Sequence, residues 1–162
     1  LPNNTPLEEL RELDGLILSG GAARVGLTGE LGNCGEYLTL NIPILGICAG
    51  HQFMARHYGG GAGEAPKPEF GAAKIMLVGG GGQLFMGTPE VQTVWESHND
   101  EVTDVPDGFV VVAESKSCKV QAMQNENLDR FGLQFHPEVN DTEYGSNIFE
   151  NFVSICESAK SA

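Results

Sequence analysis

The segment Pro43-Ile44-Leu45-Gly46-Ile47-Cys48-Ala49-Gly50-His51-Gln52 constrains the fold of this chain more than any other stretch. Pro43 to Ile47 is short, apolar and bounded, as a strand buried on both faces of a parallel sheet is, and Gln52 to Tyr58 reads as helix. Cys48 falls at the junction. A strand that turns this sharply into a helix lifts the junction residue above the strand ends, and Gly46 and Gly50 flank it because a Cβ there would meet the turning backbone. The pattern is the cysteine form of Gly-x-Ser-x-Gly, in which the central residue is a nucleophile. Unpaired N–H groups and the positive dipole end of the following helix are expected beside the sulfur, favouring thiolate over thiol. The plainer reading is a packing cysteine, since free cysteines are among the most buried residues. The strand, elbow and helix around Cys48 favour the nucleophile.

At 162 residues the chain is expected to form a single domain, residues 1–162, around one core. Its 22 glycines point to many tight turns. With only 9 lysines and arginines against a formal charge of −13, no basic cluster exists to neutralise phosphates, which argues against nucleic acid and anionic membrane as partners. The cysteines at 34, 48, 118 and 156 form no Cys-x-x-Cys pair and no zinc spacing, so no metal site is expected. Cys34, Cys118 and Cys156 read as packing residues. No apolar run approaches the roughly 20 residues that span a bilayer, and no signal peptide is evident, as in a cytoplasmic protein.

Leu7, Leu10 and Leu13 share a helical face over residues 6–13, with Thr5 as N-cap and Pro6 in the first turn. Gly15 to Leu18 is an apolar strand that stops at Ser19-Gly20-Gly21-Ala22, a turn whose glycines leave backbone N–H groups exposed. Glu30 to Leu40 reads as helix. The alternation of helix and strand over residues 6–58 predicts parallel strands with crossover helices, and ligands of such sheets bind at the carboxyl ends of the strands. Both Gly20-Gly21 and Cys48 lie at such ends. Beyond residue 72 the texture turns to strands: Ala73 to Val78, Val91 to Trp95, Phe109 to Ala113, Lys119 to Met123 and Arg130 to Phe135. A last helix is expected from Thr142 to Ser158.

A cysteine nucleophile needs a base to take its proton and return it to the leaving group, which suits histidine. His51 and His57 lie on the helix after the elbow, and His98 lies in Glu96-Ser97-His98-Asn99-Asp100, which reads as a polar loop after a strand. His136 is the strongest candidate: it ends a strand, Pro137 fixes the backbone after it, and Glu138 stands two residues on to hold the imidazole tautomer. An oxyanion hole would come from the N–H of Ala49 and one N–H of the Ser19-Gly20-Gly21 turn, Gly21 being the candidate.

Gly46-Ile47-Cys48-Ala49-Gly50-His51-Gln52, the upstream Leu18-Ser19-Gly20-Gly21, and Gln134-Phe135-His136-Pro137-Glu138 together resemble the class I (triad) glutamine amidotransferases. Three motifs agree in order and context, and the resemblance spans essentially the whole chain. It implies an α/β fold of flavodoxin-like kind: a mostly parallel central sheet flanked by helices, with an additional β-rich C-terminal half. Members of that family begin with a strand, a helix and a second strand ahead of the position of Thr5, so the resemblance implies a chain short of that unit by roughly 30 residues. The family usually has proline where this chain has Ala22, a change expected to loosen the oxyanion loop.

Within the class, Pro68-Glu69-Phe70-Gly71, Trp95 to Val102, and His136-Pro137-Glu138-Val139 with Thr142-Glu143-Tyr144-Gly145 resemble the separate glutaminase subunit of archaeal GMP synthetase. By that resemblance Cys48 attacks the side-chain amide of glutamine, His136 protonates departing ammonia and Glu138 orients His136. Gln52 would contact bound glutamine, Ser97, His98 and Asn99 would hold its amino-acid end, and Asp100 would signal to a partner. The partner implied is an ATP pyrophosphatase subunit that converts XMP to GMP. ATP and Mg2+ belong to that subunit, and no cofactor is expected in this chain. Other readings of the same residues are a glutaminase subunit of anthranilate or aminodeoxychorismate synthase, and a non-catalytic regulatory subunit on the same scaffold.

Overall fold

Strand β2 (Ile44–Ile47) is buried at every residue, as its apolar run requires, and it lies between β1 (Leu16–Leu18) and β7 (Arg130–Leu133), parallel to both. The computed structural model describes residues 1–21 and 23–161. From β7 outward the sheet turns antiparallel through β6 (Ala122–Asn125), β5 (Val110–Glu114), β3 (Gly61–Leu77) and β4 (Val91–Asp104). The result is one 7-stranded mixed sheet of order β1-β2-β7-β6-β5-β3-β4. The α/β class expected from the sequence stands, and the β-rich second half is joined edge to edge onto the parallel strands.

Alternation along the strands divides the apolar side chains between two faces. Leu45, Ile47, Phe131 and Leu133 pack with Ile148, Phe152 and Cys156 of α4 (Gly145–Ser161). Ile44 and Met123 pack on the other face with Ala49, Met54 and Ala55 of α3 (Ala49–His57). Cys34 and Cys118 are also buried, as packing residues would be. Among the described residues no helix is long and apolar enough to cross a membrane.

Three expected elements come out differently. Residues 6–13 form only a 3-10 turn, Leu7–Leu10, capped at Pro6, while the Thr5 hydroxyl donates to the Pro2 carbonyl at 2.7 Å. So short a segment is not stable as a helix without extensive packing, and only Leu10 of it is fully buried. The helix expected over Glu30 to Leu40 shrinks to one turn, α2 (Cys34–Tyr37), and a separate single turn, α1 (Val25–Thr28), precedes it. Gly29 and Gly32 between them sit at φ +70 and +52, left-handed conformations that end a helix. Finally, Glu96 to Asp100 is the middle of the 14-residue strand β4, not a loop. Its inward positions, Gln92, Val94, Glu96, His98, Asp100 and Val102, alternate strictly, but four of these six are polar and mask the apolar half of the pattern.

The turn between α2 and β2 is organised by one buried cation. Arg130 of β7 donates from its guanidinium to the carbonyls of Leu38 (3.1 Å), Leu40 (2.7 Å), Ile42 (2.6 Å) and Leu128 (2.9 Å), and to the Tyr58 hydroxyl (2.9 Å). Each charge-assisted bond satisfies a carbonyl that would otherwise be desolvated without a partner. Replacing Arg130 by methionine keeps the aliphatic stem and strands those carbonyls. We expect Arg130→Met to lower unfolding free energy by about 2–4 kcal/mol, read by urea unfolding with Trp95, the 1 tryptophan of the chain, as the fluorophore.

Candidate active site

The elbow forms because nothing larger than glycine fits around it. A Cβ on Gly46 would stand 2.7 Å from the Gly50 carbonyl carbon, and one on Gly50 would collide with the Leu18 carbonyl oxygen of β1. Strand β2 therefore runs directly into α3, and Cys48 between them takes φ 53, ψ −106, a left-sided conformation rare for a side-chain-bearing residue. The Cys48 N–H donates to the Leu133 carbonyl of β7 at 2.8 Å, which holds the strained residue in place. The thiol donates to the Ser97 carbonyl of β4 at 3.6 Å.

His136 follows β7 by three residues. Its N–H donates to the Trp95 carbonyl of β4 at 2.9 Å, and its carbonyl accepts from the Thr142 hydroxyl at 2.7 Å. Its Nδ1 pairs with Glu138 Oε1 at 2.6 Å, as the His-Pro-Glu spacing predicts, and this leaves Nε2 for chemistry. Gly20 separates cysteine from histidine: a Cβ built on it would be 3.0 Å from Cys48 Cβ and 3.4 Å from His136 Cε1. Strand ends 18, 47 and 133 thus converge, as parallel topology requires. The thiol and His136 are not joined by a hydrogen bond in this arrangement; the sulfur faces Ser97 instead.

Beside the sulfur a cleft of about 210 Å³ is lined by Gly21, Arg24, Gln52, Phe70, Ser97 and Asn99, among others. Ala49 opens α3 next to the thiol and Gly21, at φ +147, borders the cleft, so both candidate oxyanion donors lie at the site. Ala22 falls outside the described residues. The expected thiolate is not what the environment favours: burial pushes the Cys48 thiol up to about 11, the Ala49 N–H acts in the opposite direction, and Glu96 and Glu138 add to the rise. The residue is only 6% exposed, and desolvation outweighs the helix terminus.

His51 and His57 do not serve the site. His51 is fully buried, is held neutral by that burial with its pKa lowered to about 3, and its Nε2 meets the Val120 carbonyl at 3.2 Å. His57 stacks with Phe53 at the far end of α3.

The Ser97-His98-Asn99 group is divided by the strand. Ser97 and Asn99 are exposed, while His98 points inward, with Nδ1 at 2.8 Å from the Asp100 carbonyl and Nε2 at 2.9 Å from Glu69 Oε1. A carbonyl can only accept, so Nδ1 carries a proton. Burial opposes the charge on His98, but the hydrogen bonds to Glu69 and to the Asp100 carbonyl favour it, and its pKa is raised. The Gln121 amide bridges Glu69 (3.2 Å) and Glu96. Burial, then the Glu69 charge, pushes Glu96 up to about 8, so this carboxyl holds a proton in neutral solution. Ligand atoms of Glu69, Glu96 and His98 lie within 4.8 Å of one another, close enough for a metal ion.

Asp100 is 2% exposed and its carboxylate accepts both Nε (2.9 Å) and Nη2 (2.8 Å) of Arg24, on the cleft rim. That pairing holds its carboxyl below the usual range. Glu69, Glu96 and Gln134 lie within the segments that carry the family resemblance, but the sequence gives none of them, nor Arg24, a role at the site. Strand periodicity is the signal that could reveal Glu69 and Glu96; for Arg24 there is none, because it reaches Asp100 across 76 residues of sequence.

The fold presents a cysteine on a strand-to-helix elbow near a histidine paired with a glutamate, and comparison with known proteins gives its family. The family model described as "Glutamine amidotransferase class-I" matches residues 1–156, and the chain belongs to that family. It is 43% identical over 162 residues to a subunit of glutamine-hydrolyzing GMP synthase from Thermococcus kodakarensis, covering 96% of this chain and 84% of that protein. Over 160 residues it is 44% identical to the corresponding GMP synthase subunit from Thermoplasma acidophilum, covering 98% of this chain and 80% of that one. The solved structure of a Thermoplasma acidophilum protein described as a GMP synthase subunit superposes with a TM-score of 0.94 at 44% identity, covering 99% of this chain and 81% of that chain. A glutamine amidotransferase from Thermotoga maritima shares the fold at TM-score 0.69 and 24% identity, over 96% of this chain and 73% of that chain.

Both raised groups of the buried cluster bear on stability with the same sign. Glu96 binds its proton more tightly folded than unfolded, and so does His98; their stabilisation is present at low pH and is lost as pH rises, for His98 from about 6.5 and for Glu96 through about 8. Thermal unfolding should therefore fall by several degrees between about pH 6 and pH 9, and Glu96→Gln should flatten that slope by keeping the site neutral.

Proposed function

We propose that this chain is the glutaminase subunit of a two-subunit GMP synthetase, releasing ammonia from glutamine through Cys48, His136 and Glu138. The observation that carries the reading is the placement of the strained Cys48 elbow and the Glu138-bound His136 on either side of Gly20. The names of the similar archaeal proteins supply the synthetic context.

In the reaction the sulfur leaves the Ser97 carbonyl and gives its proton to His136 Nε2, and the thiolate attacks the carboxamide carbon of glutamine. The S–C bond forms as the carbonyl π pair moves to oxygen, where the N–H groups of Ala49 and Gly21 receive the oxyanion. Collapse breaks the C–N bond, and ammonia departs with the proton held by His136. Water then loses a proton to His136 and attacks the thioester, the S–C bond breaks, and glutamate and free Cys48 are restored. Glu138 keeps the imidazole in the tautomer that both steps need. Gln52, Ser97 and Asn99 border the cleft that would receive the substrate. His98 acts from behind it, fixing the Asp100 carbonyl. Ammonia passes to an ATP pyrophosphatase subunit that adenylates XMP with ATP and Mg2+ and yields GMP, and this chain itself uses no cofactor.

A thiol raised by burial and bonded to a carbonyl is a resting state, consistent with low activity until the partner and substrate are bound. Mixing this chain with an XMP-dependent pyrophosphatase subunit should give glutamine-dependent GMP formation. Cys48→Ala should abolish it while leaving ammonium-dependent synthesis intact; GMP formed from glutamine by that variant would refute the reading. His136→Ala should lower glutamine-dependent kcat by roughly 10²–10⁴-fold, measured as glutamate release in the complex.

A further inference from the structure

Gln134, between β7 and His136, is fully buried and is assigned no part in the chemistry above. Its side chain spans the gap between two groups that are. Gln134 Nε2 lies 3.7 Å from Cys48 Sγ, and its Oε1 lies 3.2 Å from Gln52 Nε2. The direction of these bonds follows from their surroundings. Gln52 Nε2 is 2.7 Å from the backbone carbonyl of Asp100, which can only accept, so the NH2 of Gln52 faces that carbonyl. The second hydrogen of the same NH2 then points to Gln134, which must present its oxygen there. The NH2 of Gln134 is left facing the sulfur. The Asp100 carbonyl is fixed in turn, because it also accepts from His98 Nδ1, and His98 is anchored to Glu69 on the neighbouring strand.

We propose that Gln134 is a further catalytic residue, a side-chain N–H donor to the Cys48 sulfur that is held in the donating orientation by Gln52 and Asp100. The contact discriminates between states of the sulfur. To a thiol the amide is a weak partner; to a thiolate it is a charge-assisted donor. The Ser97 carbonyl works in the opposite sense, accepting from the thiol and repelling the anion. The groups facing the sulfur are Glu96 from β4 and Glu138 and His136 from the loop after β7; Glu96 and Glu138 disfavour the anion. Once the thiol proton is lost, the Ala49 N–H and the Gln134 amide are the donors beside the sulfur, and both act to lower its pKa. Gln134 therefore supplies, in addition to the helix terminus, part of the stabilisation that burial takes away. It also ties the nucleophile to Gln52, so that the residue bordering the substrate cleft and the sulfur share one amide pair.

The catalytic meaning rests on the glutaminase reading, but the test does not require glutamine. Alkylation of Cys48 by iodoacetamide, a neutral reagent that consumes thiolate, is followed by peptide mass mapping across pH 7 to 10 in the intact chain. Gln134→Leu keeps the size of the side chain and removes the donor; the Cys48 rate at a fixed pH near 8.5 should fall about tenfold, as for a thiol pKa raised by about one pH unit. Gln134→Glu places an acid of the same shape at the sulfur, and its rate should fall further as the carboxyl ionises with rising pH. A packing defect has the opposite sign, since a loosened site exposes the sulfur and speeds alkylation. Rates in Gln134→Leu equal to or above those of the parent chain, with thermal unfolding retained, would overturn the proposal. Should that variant not fold, the same criterion applied to the isosteric Gln134→Glu decides. Glutamine-dependent GMP formation by the complex of the parent chain with the pyrophosphatase subunit is measured separately, so its absence would count against the proposed function and not against the sulfur contact.

Discussion

Everything at the site depends on how closely two backbones approach where α3 leaves β2. Gly50 rests on the Leu18 carbonyl and Gly46 on the first turn of the helix, and neither place has room for a side chain. That approach forces the left-sided conformation of Cys48, and the strain is borne by a hydrogen bond from its N–H to Leu133. With the elbow fixed, the ends of β1, β2 and β7 become the floor of one crevice, and β4 closes it from the side through the Ser97 carbonyl and the inward stripe of Glu96, His98 and Asp100. Buried polar groups of that kind are tolerated only when each is paired, and here the pairs run in series from Glu69 to the sulfur.

The legible parts of the sequence are those in which local chemistry and fold agree. The elbow, the His136-Pro137-Glu138 spacing and the apolar run of β2 each carry their geometry in adjacent residues, and each appears where the sequence puts it. The failures have physical causes of two kinds. Residues 30–40 hold helix formers, but Gly32 and the preceding Gly29 take left-handed conformations that propensity does not reveal. Glu96 to Asp100 resembles a loop because its inward residues are polar, and they face inward only because Glu69, Gln121 and Arg24 wait on other elements to pair with them. Sequence shows which side chains are polar, not which distant partner will allow them to be buried.

The expectation of a ready thiolate fails for a related reason. A helix terminus acts on the sulfur through one or two N–H groups, whereas desolvation acts on every side of it, and the second effect wins at a site this enclosed. A thiol this buried is shielded from stray electrophiles by the same burial that opposes its ionisation. Reactivity must then come with the arrangement that draws the sulfur away from Ser97.

The pairing of β2 with β7 has a consequence for how the molecule is made. Cys48 and the side chain that meets its sulfur from the end of β7 stand 86 residues apart in the chain, with β3 to β6 between them. Contacts of such separation require a large loss of chain entropy before they return any energy, and they form late in folding. As the polypeptide leaves the ribosome, Cys48 emerges long before His136, its clamp at Leu133 and the strand that completes the crevice. Nascent chains therefore carry an ordinary thiol, and only a finished domain holds it on a strained elbow in contact with the Gln134 amide.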